Sequence, residues 1–401
     1  MAKKTVIFEV WPLAFADGLK GVIKQLDHMR SLGVTHVWLS GILTSPQYDH
    51  GYDVSDFYSI EPRLGTLDDF DALVSEAHRR GIGVLIDLIL NHTSVHHAWF
   101  REHSCWYCWE SYNTHSEWES LFGGPAWKYD GIYDQYYLHL FHEKQADLNW
   151  FPEGELNQQL VKEARKFVRF WVELHRVDGF RIDALQGINK DLNSLTLKFK
   201  DLISGDKAVE VINAIFPAEE KAPFLVAELF DPSYGGIIDY YLKNTQISFA
   251  MNVMLKDAID DSDESFLSKL DLSTQSTGFM LDMESHDSPR FLSRTASDPQ
   301  QLLLKIFNSK VDAVCIYQGE EYGFKNPTMA QLSNEGMLRL DAQTANRYAQ
   351  GESLASLRDK SRANARADYY RQFSECQDAE KFFEFFRTVL TAWKHGRPIR
   401  R

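Results

Sequence analysis

The chain has 401 residues and a formal net charge of −14, with acidic and basic side chains interspersed rather than blocked. This argues against a nucleic-acid surface and suits a protein acting on a neutral small molecule. No run approaches the roughly twenty apolar residues of a membrane span. The opening run reads as a strand without a leader pattern, so a cytoplasmic protein with no membrane partner is expected.

The strand-like run Thr5–Val10 comes first. Ile23, Leu26, Met29 and Leu32 then form a helical face that Gly33 ends. His36–Ser40 predicts a second strand, and the long loop from Gly41 to Gly65, rich in Pro, Gly, Asp and Tyr, reads as functional. Thr66 with Asp69 heads the next helix as a capping pattern. Gly83–Ile89 predicts a third strand, carrying Asp87 and running into Asn91-His92. From His92 to about Asp147 the regular rhythm stops amid Trp, Tyr, His and Gly. Here Cys105 and Cys108 form one C-x-x-C, but no second pair follows at zinc spacing. They therefore read as reduced, structural thiols, and no metal or other cofactor is expected. Cys315 reads as a core residue.

A helix from Leu160 to Leu174 leads into the stretch Val177–Ala184. Helical material from Lys190 to Ile215 follows, then strands at Phe224–Leu229, Ile247–Asn252, Gly278–Met283 and Val311–Tyr317, and a last helix at Phe383–Trp393. Eight strand–helix alternations predict an α/β fold, a (β/α)8 barrel, whose active site lies at the C-terminal ends of its strands. In Val177–Ala184, Phe180 and Ile182 alternate with Arg181 and Asp183, so the charged pair shares one strand face. A carboxylate beside a guanidinium loses its proton readily, which suits a nucleophile; a buried structural ion pair fits equally well. Three other apolar runs also deliver acidic residues, at Asp87-Leu88-Ile89-Leu90-Asn91-His92, Leu225-Val226-Ala227-Glu228 and Glu284-Ser285-His286-Asp287.

In order and spacing these four stretches resemble the signature regions of the α-amylase superfamily, glycoside hydrolase family thirteen. His50–Phe57, Asn91–Ser94, Tyr136–Phe141 and Gln145–Asn149 are similar to the branch of oligo-1,6-glucosidase, dextran glucosidase and maltase-type α-glucosidase. The resemblance implies a catalytic barrel in two parts, 1–91 and 148–401, around a small inserted domain at 92–147. It implies Asp183 as nucleophile, Glu228 as proton donor and Asp287 as a third carboxylate that binds sugar hydroxyls. Arg181 would hold Asp183 ionised, and His92 and His286 would donate to the same sugar unit. Asp53 would hold the outer hydroxyls of a terminal glucose, with Arg366 as its partner and Tyr52 as a stacking face. Asp49, Phe141 and Glu284 fall near the same register.

Two departures stand out. Ala14–Lys20 is too short and too poor in oxygen ligands for the calcium loop of some relatives. No sequence after Arg401 supplies the C-terminal β-sandwich the family usually carries, so that domain is expected to be absent. The implied activity is hydrolysis of the terminal bond of short α-glucosides with retention. Ala184, after the nucleophile, points to α-1,4 over α-1,6 linkages, since valine tends to stand there in relatives favouring α-1,6. Transglucosylation or sugar isomerisation by the same carboxylates is the chemical alternative. A catalytically silent binding subunit is the alternative of another class.

Overall fold

The computed structural model describes residues 4–111, 117–196, 202–203, 205–260, 263–295, 298–327, 366, 368–397 and 399. Eight short runs rich in β-branched and aromatic residues form parallel strands: β1 Thr5–Val10, β2 His36–Leu39, β3 Gly83–Ile89, β4 Gly179–Asp183, β5 Phe224–Leu229, β6 Phe249–Asn252, β7 Phe279–Asp282 and β8 Ala313–Tyr317. They close in the order β1-β8-β7-β6-β5-β4-β3-β2, the arrangement of a (β/α)8 barrel. Alternate residues face inward, and Ile7, Leu85, Val226, Met251, Met280 and Ala313 plug the interior with apolar side chains. The opposite faces of the strands pack against the surrounding helices in one large core.

Helix starts and stops follow local chemistry. Helix α1, Leu19–Leu32, ends at Gly33, whose φ of 72° lies in the left-handed region open to glycine. Helix α2, Leu67–Arg79, begins with a reciprocal capping box in which Thr66 Oγ1 accepts from Asp69 N at 3.2 Å and Asp69 Oδ2 accepts from Thr66 N at 3.1 Å. The expected helix from Lys190 is not formed there. Asn193 N donates to Asp191 Oδ1 at 3.1 Å in a local turn; Leu202 and Ile203 are helical, and a further helix runs Lys207–Ile215. Residues 197–201 and 204 of that stretch lie outside the described residues.

After β3, His92–Ser94 pairs antiparallel with Gln145–Asp147, and the chain between them holds a three-stranded antiparallel sheet. Among the described residues no helix is long and apolar enough to cross a membrane. The four cysteines are free, with Cys108 and Cys315 buried.

β4 sits tightly against β5. A Cβ on Gly179 would lie 1.9 Å from the backbone oxygen of Phe224, its register partner. Backbone cannot swing away as a side-chain tip can, so Gly179→Ala is expected to destabilise the barrel by about 3 kcal/mol or more. Denaturant unfolding of the variant against the parent measures this; equal midpoints would contradict the close approach.

Candidate active site

Arg181 and Asp183 rise from the C-terminal half of β4, two residues apart and therefore on one face. The Arg181 guanidinium spans the site: Nη1 contacts Asp183 Oδ1, and Nη2 lies 2.7 Å from Glu228 Oε2 at the end of β5. Asp87 of β3, the register partner of Arg181, stands 3.6 Å from Nη1. The rings of Trp38 and Tyr52 flank the cation, with centroids 4.9 and 5.7 Å from Cζ. Asp87 is held in turn by Trp38 Nε1 at 3.1 Å, Gly41 N at 2.8 Å and Tyr52 OH at 3.3 Å. The Arg181 side chain is 2% exposed, Asp183 10% and Glu228 16%, so the two carboxyls open outward from a sealed cation.

Asp287 follows β7 and is the most accessible of the carboxylates, at 27%. His286 Nε2 lies 2.9 Å from Asp287 Oδ2, and Arg366 Nη2 donates to Asp287 Oδ1 at 2.8 Å. Tyr52 stacks flat on the His286 ring, 4.9 Å between centroids and 4° from parallel. Three carboxyl groups thus converge at the strand C-termini, two of them bridged by one arginine.

The catalytic-domain model of the α-amylase family matches residues 12–384. The chain belongs to the α-amylase family. It is 33% identical to a trehalose-6-phosphate hydrolase of Bacillus subtilis over 91% of this chain and 73% of that protein. It is 38% identical to an oligo-1,6-glucosidase of Heyndrickxia coagulans over 48% of this chain and 37% of the relative. A solved trehalose-6-phosphate hydrolase of Bacillus licheniformis superposes with a TM-score of 0.81 at 28% identity, covering 98% of this chain and 83% of that one. Membership of this α-amylase family makes the protein a glycoside hydrolase.

The loop before the second barrel helix is arranged differently from the expectation. Asp53 is fully buried, and its carboxylate accepts from Ser45 Oγ at 2.8 Å, Asp49 N at 3.0 Å and Tyr48 N at 3.1 Å. It closes its own loop by accepting from amides four and five residues upstream. Arg366 pairs with Asp287 and not with Asp53, because the Asp53 oxygens are taken up by these loop donors. The carboxylate of this loop that reaches the His92 cluster is Asp49, which accepts from Gln145 Nε2 at 3.0 Å. The same Gln145 nitrogen is 3.0 Å from His92 Nε2.

His92 is spent on protein neighbours as well. Its Nε2 is 3.1 Å from Tyr52 O and its Nδ1 is 3.2 Å from Asn91 Nδ2, and burial holds the ring below the usual histidine range. Phe141 packs against this ring at 5.5 Å. Glu284 turns away from the three carboxylates, accepting from Arg290 Nη1 at 2.8 Å and Phe291 N at 2.5 Å. Ala184 caps β4 with a φ of 43°, a left-handed conformation uncommon for a residue with a Cβ. Its N–H points at Glu228 Oε2 across 3.5 Å.

Sequence reading missed Glu9 and Gln145. Glu9 is an acidic residue inside an apolar strand, the same signal that exposed Asp87, and it lies 2.5 Å from His286 Nδ1. Gln145 opens a stretch similar to the α-glucosidase branch, but nothing in that stretch singled out the glutamine itself. Among the described residues no group of three His, Cys, Asp or Glu side chains is set to hold a metal ion.

The electrostatics run against one expectation. Burial pushes the Asp183 carboxyl up to about 7; Arg181 opposes this, and Glu228 and Asp87 add to it. Asp87 is likewise pushed up to about 6, mainly by burial. One guanidinium cannot neutralise three carboxyls in a dry site, so the cluster retains a proton into the neutral range. That proton belongs to the cluster rather than to one residue.

A raised carboxyl favours the folded state below its unfolded value near 3.8, and that contribution is lost as pH rises through the folded value near 7. Asp183→Asn lacks the loss. Its melting temperature is expected to exceed the parent's by about 2 °C or more at pH ~8, with the gap narrowing toward pH ~5. Thermal unfolding across this range checks it; a gap that widens on acidification would contradict the raised Asp183.

Proposed function

We propose that the protein is a retaining α-glucosidase that releases the terminal glucose of short α-glucosides through a covalent glucosyl-enzyme. The observation that carries this reading is the Arg181 fork, which holds Asp183 on one arm and Glu228 on the other. Two carboxyls bridged by one guanidinium suit the separation of about 5–5.5 Å that retention requires. Asp183 attacks the anomeric carbon while Glu228 gives its proton to the departing glycosidic oxygen. Glu228 then takes a proton from water, which attacks the same carbon, frees Asp183 and restores the acid. Asp287, the most open of the three, faces the sugar hydroxyls, with His286 and Arg366 holding its orientation.

A neutral substrate is supported by the state of the cations. Among the described residues Arg181, Lys190, Lys256 and Arg366 are all ion-paired, Lys190 with Asp147 at 3.0 Å and Lys256 with Asp282 at 3.4 Å. The length of the match to trehalose-6-phosphate hydrolase favours a second reading, in which trehalose 6-phosphate is the substrate. The free thiols agree with a reducing, cytoplasmic setting.

Asp183→Asn is expected to lower kcat/KM on an aryl α-glucoside by at least about 10⁴-fold. Glu228→Gln should lose about 10²–10⁴-fold on a disaccharide and much less on an activated aryl glucoside, which needs little protonation. Parent-like rates on a disaccharide for either variant would overturn the assignment. Resolving products from maltose, isomaltose, sucrose, trehalose and trehalose 6-phosphate separates hydrolysis from transfer and isomerisation, and the neutral from the phosphorylated reading.

For linkage, maltose is expected to exceed isomaltose in kcat/KM, and Ala184→Val to shift the ratio toward isomaltose by about 1–3 kcal/mol at most. A β-branched side chain is strained at a φ of 43°, so the variant's melting curve accompanies its kinetics. A parent preference for isomaltose would remove Ala184 as the cause.

A further inference from the structure

His286 lies between a carboxylate of β1 and one of its own loop after β7. Glu9 Oε1, from β1, is 2.5 Å from Nδ1, and Asp287 Oδ2 is 2.9 Å from Nε2. Both Glu9 and His286 are sealed from solvent; the second oxygen of Glu9 and His286 Nε2 are buried without a hydrogen bond among the described residues, so Asp287 meets Nε2 as an ion pair at 2.9 Å. A neutral imidazole has one N–H and one lone pair, so it satisfies one carboxylate and turns the lone pair on the other. With Asp287 already ion-paired to Arg366, a proton on each ring nitrogen is the state that meets both sides. The faces of the ring carry Tyr52, stacked, and Trp38, edge-on at 5.7 Å, which keep water away.

We propose that Glu9 is a positioning residue: it holds His286 as an imidazolium, and the imidazolium in turn orients the Asp287 carboxylate toward the sugar. The proposal rests on the glucosidase reading for its kinetic part and on geometry alone for the ring. The groups facing His286 are Glu9 from β1, Asp287 from its own loop and, further off, Asp87 from β3. The two contacting carboxylates outweigh burial and push the imidazolium up to about 9. Glu9→Gln keeps the shape and an acceptor for Nδ1 but removes one negative charge.

The test uses the full chain labelled with ¹⁵N-histidine, the His286 signals being those lost in His286→Gln. In the parent both ring nitrogens should stay protonated through about pH 8. In Glu9→Gln the titration should fall by at least about one pH unit, and the alkaline limb of kcat/KM on an aryl α-glucoside should move down with it. A neutral ring in the parent at about pH 7, an Nδ1 signal in the acceptor range, or an unchanged titration in Glu9→Gln would each overturn the proposal. If Glu9→Gln does not fold, the parent's titration decides alone. If the parent turns over no α-glucoside, the functional reading fails while the ring titration still decides the role of Glu9.

Discussion

Placing the Arg181 guanidinium in the barrel interior dictates much of what surrounds it. An ion stripped of water loses several kcal/mol unless counter-charge and polarisable faces replace the solvent. Asp183, Glu228 and Asp87 supply the charge, and the Trp38 and Tyr52 rings supply the faces. Those partners are themselves fixed: Trp38, Gly41 and Tyr52 all donate to Asp87, so the loop after β2 is tied to β3. The arginine thus does two things at once. It sets the spacing of Asp183 and Glu228, and it locks the loop that carries Tyr52 over His286. Removing Arg181 would leave three carboxyls buried without their shared cation, a loss of about 3–5 kcal/mol.

The barrel was legible because its signals are local. Each strand is a short apolar run with period two, and the turn and cap chemistry at Gly33 and Thr66 lies within a few residues. Asp87, Asp183 and Glu228 were legible for a related reason, since an acidic residue inside an apolar run must meet something charged, though the same signal at Glu9 was passed over. The loop was harder. Asp49 and Asp53 are both acidic, four apart, in one loop rich in turn residues, and only the closed backbone decides which carboxylate bonds its own amides and which reaches Gln145. The partner of Arg366 was hidden by distance along the chain. It sits 79 residues from Asp287, and nothing local in the sequence marks that pairing. The proton on the Asp183 cluster was also out of reach, because a sequence shows the arginine beside Asp183 but not how many other carboxyls share it.

The inward positions of the strands explain why charge accumulates only at one end. Two residues along each strand returns the side chain to the same face, one layer higher. On β1 that step runs from Ile7 to Glu9, on β3 from Leu85 to Asp87, on β5 from Val226 to Glu228 and on β7 from Met280 to Asp282. The lower layer is an apolar plug, and the layer above it gains an acidic side chain from each of these four strands. Its cations are Arg181 from β4, Lys256 from the helix after β6 and His286 from beyond β7. Carboxyls outnumber cations there, so retained protons are a property of the layer, and a site that must hold one carboxyl protonated beside another ionised follows from it. A histidine in that layer gains a charge for the same reason that a carboxyl keeps its proton. His92, outside the layer and with Gln145, Asn91 and a backbone oxygen as its neighbours, has no such counter-charge in contact and stays neutral. Two histidines in the first and last signature stretches thus differ in charge because of the layer each enters, although the sequence presents them alike.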